Sequence, residues 1–491
     1  MKSNYIKLIF FTISIVMLAS CSDDFLDKKP TEFVDSDAAT KTTANLMTTL
    51  NGIHRSLYIQ YDGLQNQGGI GGIMQQTDIV GDDIVFPVTN GWFLTVYNWS
   101  GLNNENSGDV LYPYRTYYRI IRNANTIINA VDNATGSVAE KNIVKGQALV
   151  YRAFCHFQLV QIYGKRYVNG ATNSQLGVPI ILTVGSDNSP RSTVEEVYTQ
   201  INKDLDEANT LLIGYVKPNN SHLNLKVAQG LKARVALTQG KWTAAADYAN
   251  KARTGLSLMS IPEYGAGFND FTNKEWMWGS DINEVQTLYF ANFGAYMSRN
   301  FSSTVIRTCP KAINSKLYNL IPSTDVRSTI FSKNGLHPNI TLVSSASKYP
   351  YTSQKFLAVS TGDSRCDVPY MRAAEMYLIE AEAKARLGLP DANTVLFSFV
   401  KSRNPSYVLS ANTGQALVDE ILLQRRIELW GEGFRFFDLK RTNSPLDRTG
   451  ANHDSAIVNG VLSVLPTDKR WQWLIPRAEI NANPLIVQNE L

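Results

Sequence analysis

The sequence contains few cysteines and histidines, four and five among 491 residues. Besides Cys21, the cysteines are Cys155, Cys309 and Cys366, an odd number at wide spacing that does not suit a disulfide framework. No cysteine or histidine spacing matches a zinc site. We therefore expect neither a disulfide-stabilised scaffold nor a zinc module, and no cofactor.

Charge and long apolar runs are also scarce. Charged residues make up 18% of the chain, the formal net charge is +4, and lysines and arginines form no basic run, which argues against a nucleic-acid interface. The apolar stretch from Leu8 to Leu18 is well short of the roughly 20 residues that a membrane-spanning helix needs. We therefore expect no nucleic-acid partner and no spanning anchor.

Aromatic residues are abundant: the chain has 23 Tyr, 20 Phe and 8 Trp. Tyr and Trp combine an apolar face with a polar group, which suits binding surfaces as well as large cores. A chain of this length folds as two or more domains, or as one large helical assembly with insertions.

The amino terminus predicts secretion and lipidation. Residues 1–20 are typical of a signal peptide, with lysines before the apolar stretch and small residues after it. Leu18-Ala19-Ser20-Cys21 resembles the bacterial lipobox, in which the cysteine is acylated and becomes the first residue of the mature protein. Residues 22–30 are either a solvated tether or, through their acidic residues, a signal for export to the cell surface. We favour the surface.

Helical periodicity dominates the rest of the chain. Long helices are predicted from about Asp109 to Asp132 and from Val144 to Tyr163. Another helix is predicted to open at Ser192-Thr193-Val194-Glu195, which fits a capping box. Residues 60–108 and 256–369 are rich in turn residues instead, and we expect loops and short strands there.

Two segments are predicted to form helical hairpins. Residues 228–255 and 372–403 are rich in alanine and turn at Gly240 and Gly388, respectively. Small residues let paired helices approach closely, as in tetratricopeptide repeats. Two such hairpins favour an incomplete repeat array over unrelated helix pairs.

Together with several short motifs, these elements resemble the SusD/RagB nutrient-binding lipoproteins of Bacteroidetes. The motifs are Cys21 to Asp27, Gly146 to Phe154 closing at Tyr163-Gly164, Arg372 to Leu378, Arg425 to Leu429, Glu432 to Arg441, Ile475-Pro476 and Asn483-Pro484. In the second motif, Gln147 and Tyr151 replace an acid and a leucine that are usual in the family. The resemblance covers the mature chain from Cys21 to Leu491.

The resemblance implies a mainly α-helical fold, in which tetratricopeptide-like hairpins form a scaffold that carries long irregular loops and a few short strands. It also implies a protein that is not an enzyme. Family members are held to the outer membrane by a lipid anchor, cover a TonB-dependent, SusC-like transporter, and present a glycan to it. Some members bind peptides instead.

We divide the chain on this basis into a signal peptide (1–20) and a single unit (21–491). The unit comprises a lipidated tether (21–36), an amino-terminal helical part (37–255) with the loop insertion 60–108, an irregular ligand-loop region (256–369) and a carboxyl-terminal helical part (370–491).

Charged residues of the carboxyl-terminal motif recur at helical spacing. They are Glu428, Glu432, Arg435 and Asp438. The spacing predicts i,i+3 or i,i+4 ion pairs that fix the last helix onto the repeats, although such a cluster also resembles catalytic carboxylates.

Three acidic residues in the first irregular region, Asp78, Asp82 and Asp83, are of the type that binds calcium. Their spacing does not match an EF-hand loop, and we expect no metal there.

Aromatic and polar residues of the two irregular regions are the candidate ligand contacts. A sugar ring exposes C–H groups that suit flat aromatic faces, and its hydroxyl groups need polar partners. The candidates are Trp92, Phe93, Tyr97 and Asn90 in the first region, and Trp276, Trp278, Asn292, Phe293, Tyr296 and Arg299 in the second. Trp276 and Trp278 alternate as in a strand, so one of them is also a candidate core residue. Trp92 is the first choice.

Two other functional classes stay open from the sequence. A surface glycoside hydrolase needs two carboxylates across a cleft, although the chain has no G-x-S-x-G, H-E-x-x-H or P-loop motif. A protein-interaction scaffold is the other class, and exposed aromatic loops distinguish nutrient capture from it. We rank glycan capture first, peptide capture second and hydrolysis last.

Overall fold

The computed structural model describes residues 38–89, 91–185, 188–285 and 288–490. The fold is mainly helical, as predicted. Its helices are α1 (Thr43–Ser56), α2 (Gly69–Ile79), α3 (Leu94–Tyr97), α4 (Gly108–Ala130), α5 (Val138–Tyr163), α6 (Val194–Leu211), α7 (Leu225–Thr238), α8 (Trp242–Arg253), α9 (Ile261–Gly265), α10 (Phe293–Met297), α11 (Thr304–Thr308), α12 (Ser315–Tyr318), α13 (Ala373–Arg386), α14 (Ala392–Arg403), α15 (Gly414–Glu428), α16 (Arg435–Thr442) and α17 (Arg477–Ala482).

The strands are short. They are β1 (Ile84–Val85), β2 (Trp276–Ser280), β3 (Ala312–Ile313), β4 (Phe331–Ser332), β5 (Thr352–Ser353), β6 (Val368–Arg372), β7 (Leu446–Asp447) and β8 (Ser463–Val464). They form a four-stranded sheet in the order β1-β3-β5-β4 and two antiparallel pairs, β2-β6 and β7-β8. Four of these eight strands, β2 to β5, lie in the region 256–369, where loops and short strands were expected, and β6 begins at its end.

The long helices pack side by side in chain order. α4 contacts α5, α5 contacts α6, α6 contacts α7 and α7 contacts α8; α8 then packs against α13, which also contacts α14 and α15. Packing between successive neighbours is the arrangement of a helical repeat array. One large core runs through most of the molecule, and a smaller one lies between α13, α14 and α15.

Both predicted hairpins form. α7 and α8 turn at Gly240 (φ +69°), and α13 and α14 turn at Gly388 (φ +68°). These angles lie in the left-handed region, where glycine carries no Cβ penalty. The buried face of α8 consists of alanines, and their small side chains let α13 approach α8 closely.

Helix α6 begins one residue later than the sequence pattern indicated. The capping box uses Thr193 and Glu196 rather than Ser192 and Glu195. The backbone of Ser192 is extended against a neighbouring segment, with its N–H donating to the Val178 carbonyl at 3.2 Å. The first residue free to cap the helix is therefore Thr193.

Helix α2 corrects the prediction that residues 60–108 are a loop throughout. All its residues are buried, including Gln75, Gln76, Thr77 and Asp78. Their donor groups find partners inside the protein: Gln76 Nε2 donates to the Asp109 carbonyl at 3.3 Å and Thr77 Oγ1 to the Gly433 carbonyl at 3.0 Å. The segment is rich in glycine and amide residues, as loops are, because glycine permits close packing in the interior and the amides form hydrogen bonds there.

No helix in the described part of the chain is both long and apolar enough to cross a bilayer.

Candidate functional site

Two loops meet at the side chain of Tyr296 on α10. The Tyr296 hydroxyl donates to the Gln65 carbonyl at 2.7 Å and accepts a hydrogen bond from the Gly68 N–H at 2.9 Å. The rings of Trp92 and Phe93 meet the Tyr296 ring edge-on, at centroid distances of 5.6 and 5.3 Å. Tyr296 is buried, so it fixes the relative positions of these loops from below.

Around Tyr296 and α10, the loops expose large apolar side chains. Leu64 is 51% exposed, Tyr289 47% and Phe290 38%, and Trp92 is half-buried. The Tyr289 ring rests against Phe290 and the buried Phe301, at centroid distances of 4.5 and 5.0 Å. We call Leu64, Trp92, Tyr289 and Phe290 the aromatic surface. Exposed rings on a buried aromatic foundation suit the stacking of an apolar ligand face.

Glycine lets these loops approach one another. A Cβ on Gly68 would lie 2.4 Å from the Ala291 carbonyl oxygen and 2.6 Å from the Tyr296 hydroxyl. A Cβ on Gly294 would lie 2.0 Å from the Ser364 carbonyl oxygen. Contacts this short do not occur with real Cβ atoms, so the geometry below the aromatic surface requires glycine at both positions.

Several predicted contact residues lie in the core. Tyr97 is fully buried, stacks on Phe86 at 4.5 Å and hydrogen-bonds His453 Nδ1 at 2.6 Å. Trp276 and Trp278 are 3% and 1% exposed. Every residue of β2 is buried, so both faces of the strand are covered and alternation does not bring either indole to the surface.

The predicted residues near α10 are also buried. Phe293 packs on Phe356 with a centroid distance of 4.9 Å. Asn292 caps α10: its Oδ1 accepts from the Ala295 N–H at 2.9 Å and its Nδ2 donates to Ser364 Oγ at 2.8 Å. Phe93 and Arg299 are 3% and 2% exposed.

Trp92 is thus the predicted contact that is not buried in the part of the chain that the structure describes. Asn90 and the lipobox cysteine Cys21 lie outside the described residues. Among these predicted residues, a direct contact with a sugar ring is retained below for Trp92, and Arg299 is considered separately as a buried charge.

Sequence reasoning missed Tyr289 and Phe290. The signal was present: Leu288-Tyr289-Phe290 is a run of three large apolar residues without helical or strand-like alternation. A run of large apolar residues within a loop rich in turn residues is therefore a candidate for exposed aromatic rings.

The carboxylates of the carboxyl-terminal motif belong to a buried ion-pair network, which we define as Arg372, Arg403, Glu275, Glu428 and Glu432. Arg372 reaches Glu275 at 2.5 Å, Glu428 at 2.9 Å and Glu432 at 2.5 Å. Arg403 reaches Glu275 at 2.8 Å and Glu428 at 3.1 Å. All five side chains are at most 3% exposed.

The prediction that Glu428, Glu432, Arg435 and Asp438 pair with one another is wrong, although Asp438 does form an i,i+3 pair with Arg441 of the same motif, at 2.7 Å. Glu428 and Glu432 both pair with Arg372, from β6, while Arg435 pairs with Asp82 at 2.6 Å and Asp438 with Arg425 at 2.7 Å. The motif binds distant segments because its side chains point into the interior. The pairs thus join the motif to distant segments, with partners other than those predicted.

The electrostatics of Glu428 fit a structural role. Burial alone would raise the pKa of Glu428, but Arg403, Arg372 and Arg327 hold that pKa well below its ordinary value. A carboxylate fixed in the charged form between guanidinium groups, without contact with solvent, is not available for general acid–base chemistry.

The acidic residues of the first irregular region are similarly occupied. Asp78 accepts hydrogen bonds from the backbone N–H groups of Gly433 and Arg435, both at 2.9 Å. Asp83 pairs with Arg426 at 2.5 Å, and Arg435 pairs with Asp82. These carboxylates join α2 and β1 to the carboxyl-terminal motif.

A groove of about 800 Å³ lies at the carboxyl end of α5. Its lining includes the cations Lys165, Arg166 and Lys469 and the apolar Leu176. Its aromatic lining residue, Trp471, is only 6% exposed. The groove is spacious but does not present an aromatic face comparable to Tyr289.

Two family models match parts of this chain. A family model described as starch-binding and associating with the outer membrane matches residues 24–237, and one described as the SusD family matches residues 307–491. A SusD-like protein of Bacteroides ovatus is 23% identical over 88% of this chain and 82% of its own length. The SusD-like protein P38 of Formosa agariphila is 32% identical over 127 residues, which is 24% of this chain and 23% of that protein.

Among solved structures, a SusD-like carbohydrate-binding protein of Bacteroides vulgatus is similar to this chain. The TM-score is 0.80 and the sequences are 26% identical, with 92% of this chain and 99% of that chain covered.

Proposed function

Because the chain belongs to the SusD/RagB family, we propose that it is a cell-surface lipoprotein that captures a glycan and delivers it to a SusC-like, TonB-dependent transporter of the outer membrane. In this proposal residues 1–20 are removed, Cys21 carries the lipid anchor, and 21–491 act as one unit. We assign no residue of the chain to catalysis.

The aromatic surface is the observation that supports this proposal. Tyr289 and Phe290 expose ring faces that cost free energy to keep in water, and a sugar ring offers complementary C–H groups. Trp92, whose ring packs edge-on against Tyr296, is the residue predicted from the sequence that we propose as a direct ligand contact. The carbohydrate-binding description of the B. vulgatus protein is in line with this ligand class.

The test is calorimetric titration of the purified protein with a panel of oligosaccharides and peptides. We expect one glycan class to bind, and Trp92→Ala and Tyr289→Ala each to weaken binding about tenfold through loss of stacking area. Trp242→Ala is the matched control, because Trp242 is a half-buried tryptophan of the α7-α8 hairpin, stacked with Arg386 at 4.8 Å. It should leave affinity unchanged.

Other outcomes would contradict the proposal in distinct ways. Binding of peptides alone would replace the ligand class and leave capture standing. Release of shortened sugars during the titration would show hydrolysis and overturn the non-enzymatic assignment.

A further inference from the structure

The segment from Arg299 to Gly362 is strongly cationic. It contains one acidic residue, Asp325. Its lysines and arginines are Arg299, Arg307, Lys311, Lys316, Arg327, Lys333, Lys348 and Lys355. Arg327 is neutralised by Asp325 at 2.6 Å, and Lys355 by Glu432 at 2.6 Å. The remaining positive charge is therefore not balanced within the segment.

Two of these arginines, Arg299 and Arg307, meet at the same turn. Arg299 Nη2 donates to the Ser347 carbonyl at 2.7 Å, and Arg307 Nη1 donates to Ser345 Oγ at 3.1 Å. The Ser347 N–H in turn donates to the Arg307 carbonyl at 2.9 Å. The turn Ser345–Ser347 thus accepts a hydrogen bond from each of the two guanidinium groups.

Both guanidinium groups have donors without acceptors. Arg299 is 2% exposed, and its Nε and Nη1 have no partner; the Nε of Arg307 also has none. Neither arginine forms an ion pair with any residue that the structure describes. The ring of His337, which lies near Arg299, is held by Gln354 and Thr352, and burial lowers the pKa of His337 to about 4, so it is neutral at pH 7.

A buried charge without a counter-ion is unfavourable unless something neutralises it. Arginine forks match the geometry of carboxylate and sulfate oxygens, to which they donate paired hydrogen bonds. The unpartnered N–H groups are themselves buried, whereas the Arg307 side chain as a whole is half-buried, so the exposed part of Arg307 is the point at which an anionic group reaches this charge.

The arginines are connected to the aromatic surface. Arg307 lies on α11, and a Cβ on Gly91 would be 3.1 Å from Val305 of the same helix, so the loop that carries Trp92 rests on α11. Phe301, between the two arginines in sequence, contacts the Tyr289 ring. The loop that carries Trp92 and the ring that supports Tyr289 thus both adjoin the segment that carries the two arginines.

From this arrangement we infer that Arg299 and Arg307, with Ser345 and Ser347, form a subsite for the carboxylate or sulfate group of an acidic glycan. The inference rests on the proposed function, since the sugar itself is held by the aromatic surface. Arg307 makes the contact that an incoming anion reaches first, and Arg299 adds buried positive charge at the same turn.

The test is titration of the purified protein with three probes: an oligogalacturonate, a sulfated galactan oligosaccharide and a neutral glucan. We expect one acidic probe to bind, more weakly as salt rises, and to identify whether the anion is a carboxylate or a sulfate. Arg307→Gln should weaken its binding at least about tenfold, as expected for loss of a charged hydrogen bond. Arg307→Lys should lose less.

The control is Lys316→Gln, which removes an exposed positive charge from the same segment where Asp447 already faces it. It should change affinity less than about twofold. Equal effects of Arg307→Gln and Lys316→Gln, or binding of the neutral glucan alone, would overturn the inference and leave glycan capture intact. Binding of no glycan at all would overturn both.

Discussion

Two groups of buried arginines in this protein have opposite surroundings. Arg372 and Arg403 lie in the ion-pair network, where Glu275 and Glu428 bridge the two arginines and Glu432 pairs with Arg372. Arg299 is equally buried but has one carbonyl partner and no carboxylate. Burial removes the hydration of all three arginines, and only Arg372 and Arg403 regain favourable interactions with carboxylates inside the protein. The comparison separates charges that hold the fold from a charge that is left for a ligand.

The largest effect is expected from Arg372→Met. The substitution leaves Glu275, Glu428 and Glu432 with a missing partner in the core, which typically costs about 3–5 kcal/mol. Urea unfolding should show a correspondingly lower free energy of unfolding, or loss of the folded protein. A variant as stable as the wild type would show that the network does not hold the fold.

Acidification should remove part of the same contribution. The pKa of Glu428 is held below its ordinary value in the folded state, so its stabilisation is present above the unfolded-state value of about 4.3 and is lost as pH falls toward the folded-state value. Glu428→Gln should therefore cost about 3 kcal/mol at pH 7 and clearly less at pH 3. A difference between wild type and variant that is the same at both pH values would contradict this assignment.

The same substitution at Arg299 should not lower the free energy of unfolding. Arg299→Met removes an unpaired buried charge and leaves the half-buried Ser347 carbonyl able to bind water. We expect the free energy of unfolding to stay equal or rise by about 1 kcal/mol. Destabilisation comparable to that of Arg372→Met would mean that Arg299 has a structural role.

The smallest effect is expected on the surface. Lys251 and Asp247 pair at 2.7 Å on α8, and both side chains are about half exposed. Lys251→Gln should change stability by no more than about 0.5 kcal/mol in the same urea experiment. A larger loss would indicate that exposed pairs contribute to this scaffold as well.

The sequence predicted those helices and turns that are determined by residues close to them in the chain. The alanine-rich hairpins, with glycine at Gly240 and Gly388, follow from small contact residues and left-handed turns that nearby residues dictate. Helix α2 was missed because the reasons for its burial are distant: Gln76 and Thr77 bond to Asp109 and Gly433, and no pattern within the helix shows this.

The candidate site was predicted by region more than by residue. Region 60–108 and region 256–369 do meet at Tyr296, and Trp92 was named. Which aromatic side chains face solvent depends on loop geometry, so Tyr97 and Trp278 were placed at the surface although they are core residues. The partners of Glu428 and Glu432 were wrong for the same reason, since Arg372 is near them only in the fold.

The most direct measurement of the proposed function is a crystal structure of the protein with an oligosaccharide that binds in the titration. The account predicts a sugar ring against Trp92 or Tyr289 on the aromatic surface, with any acidic substituent directed toward Arg307. A sugar bound instead in the groove beside Lys165 and Trp471, with the aromatic surface empty, would contradict it.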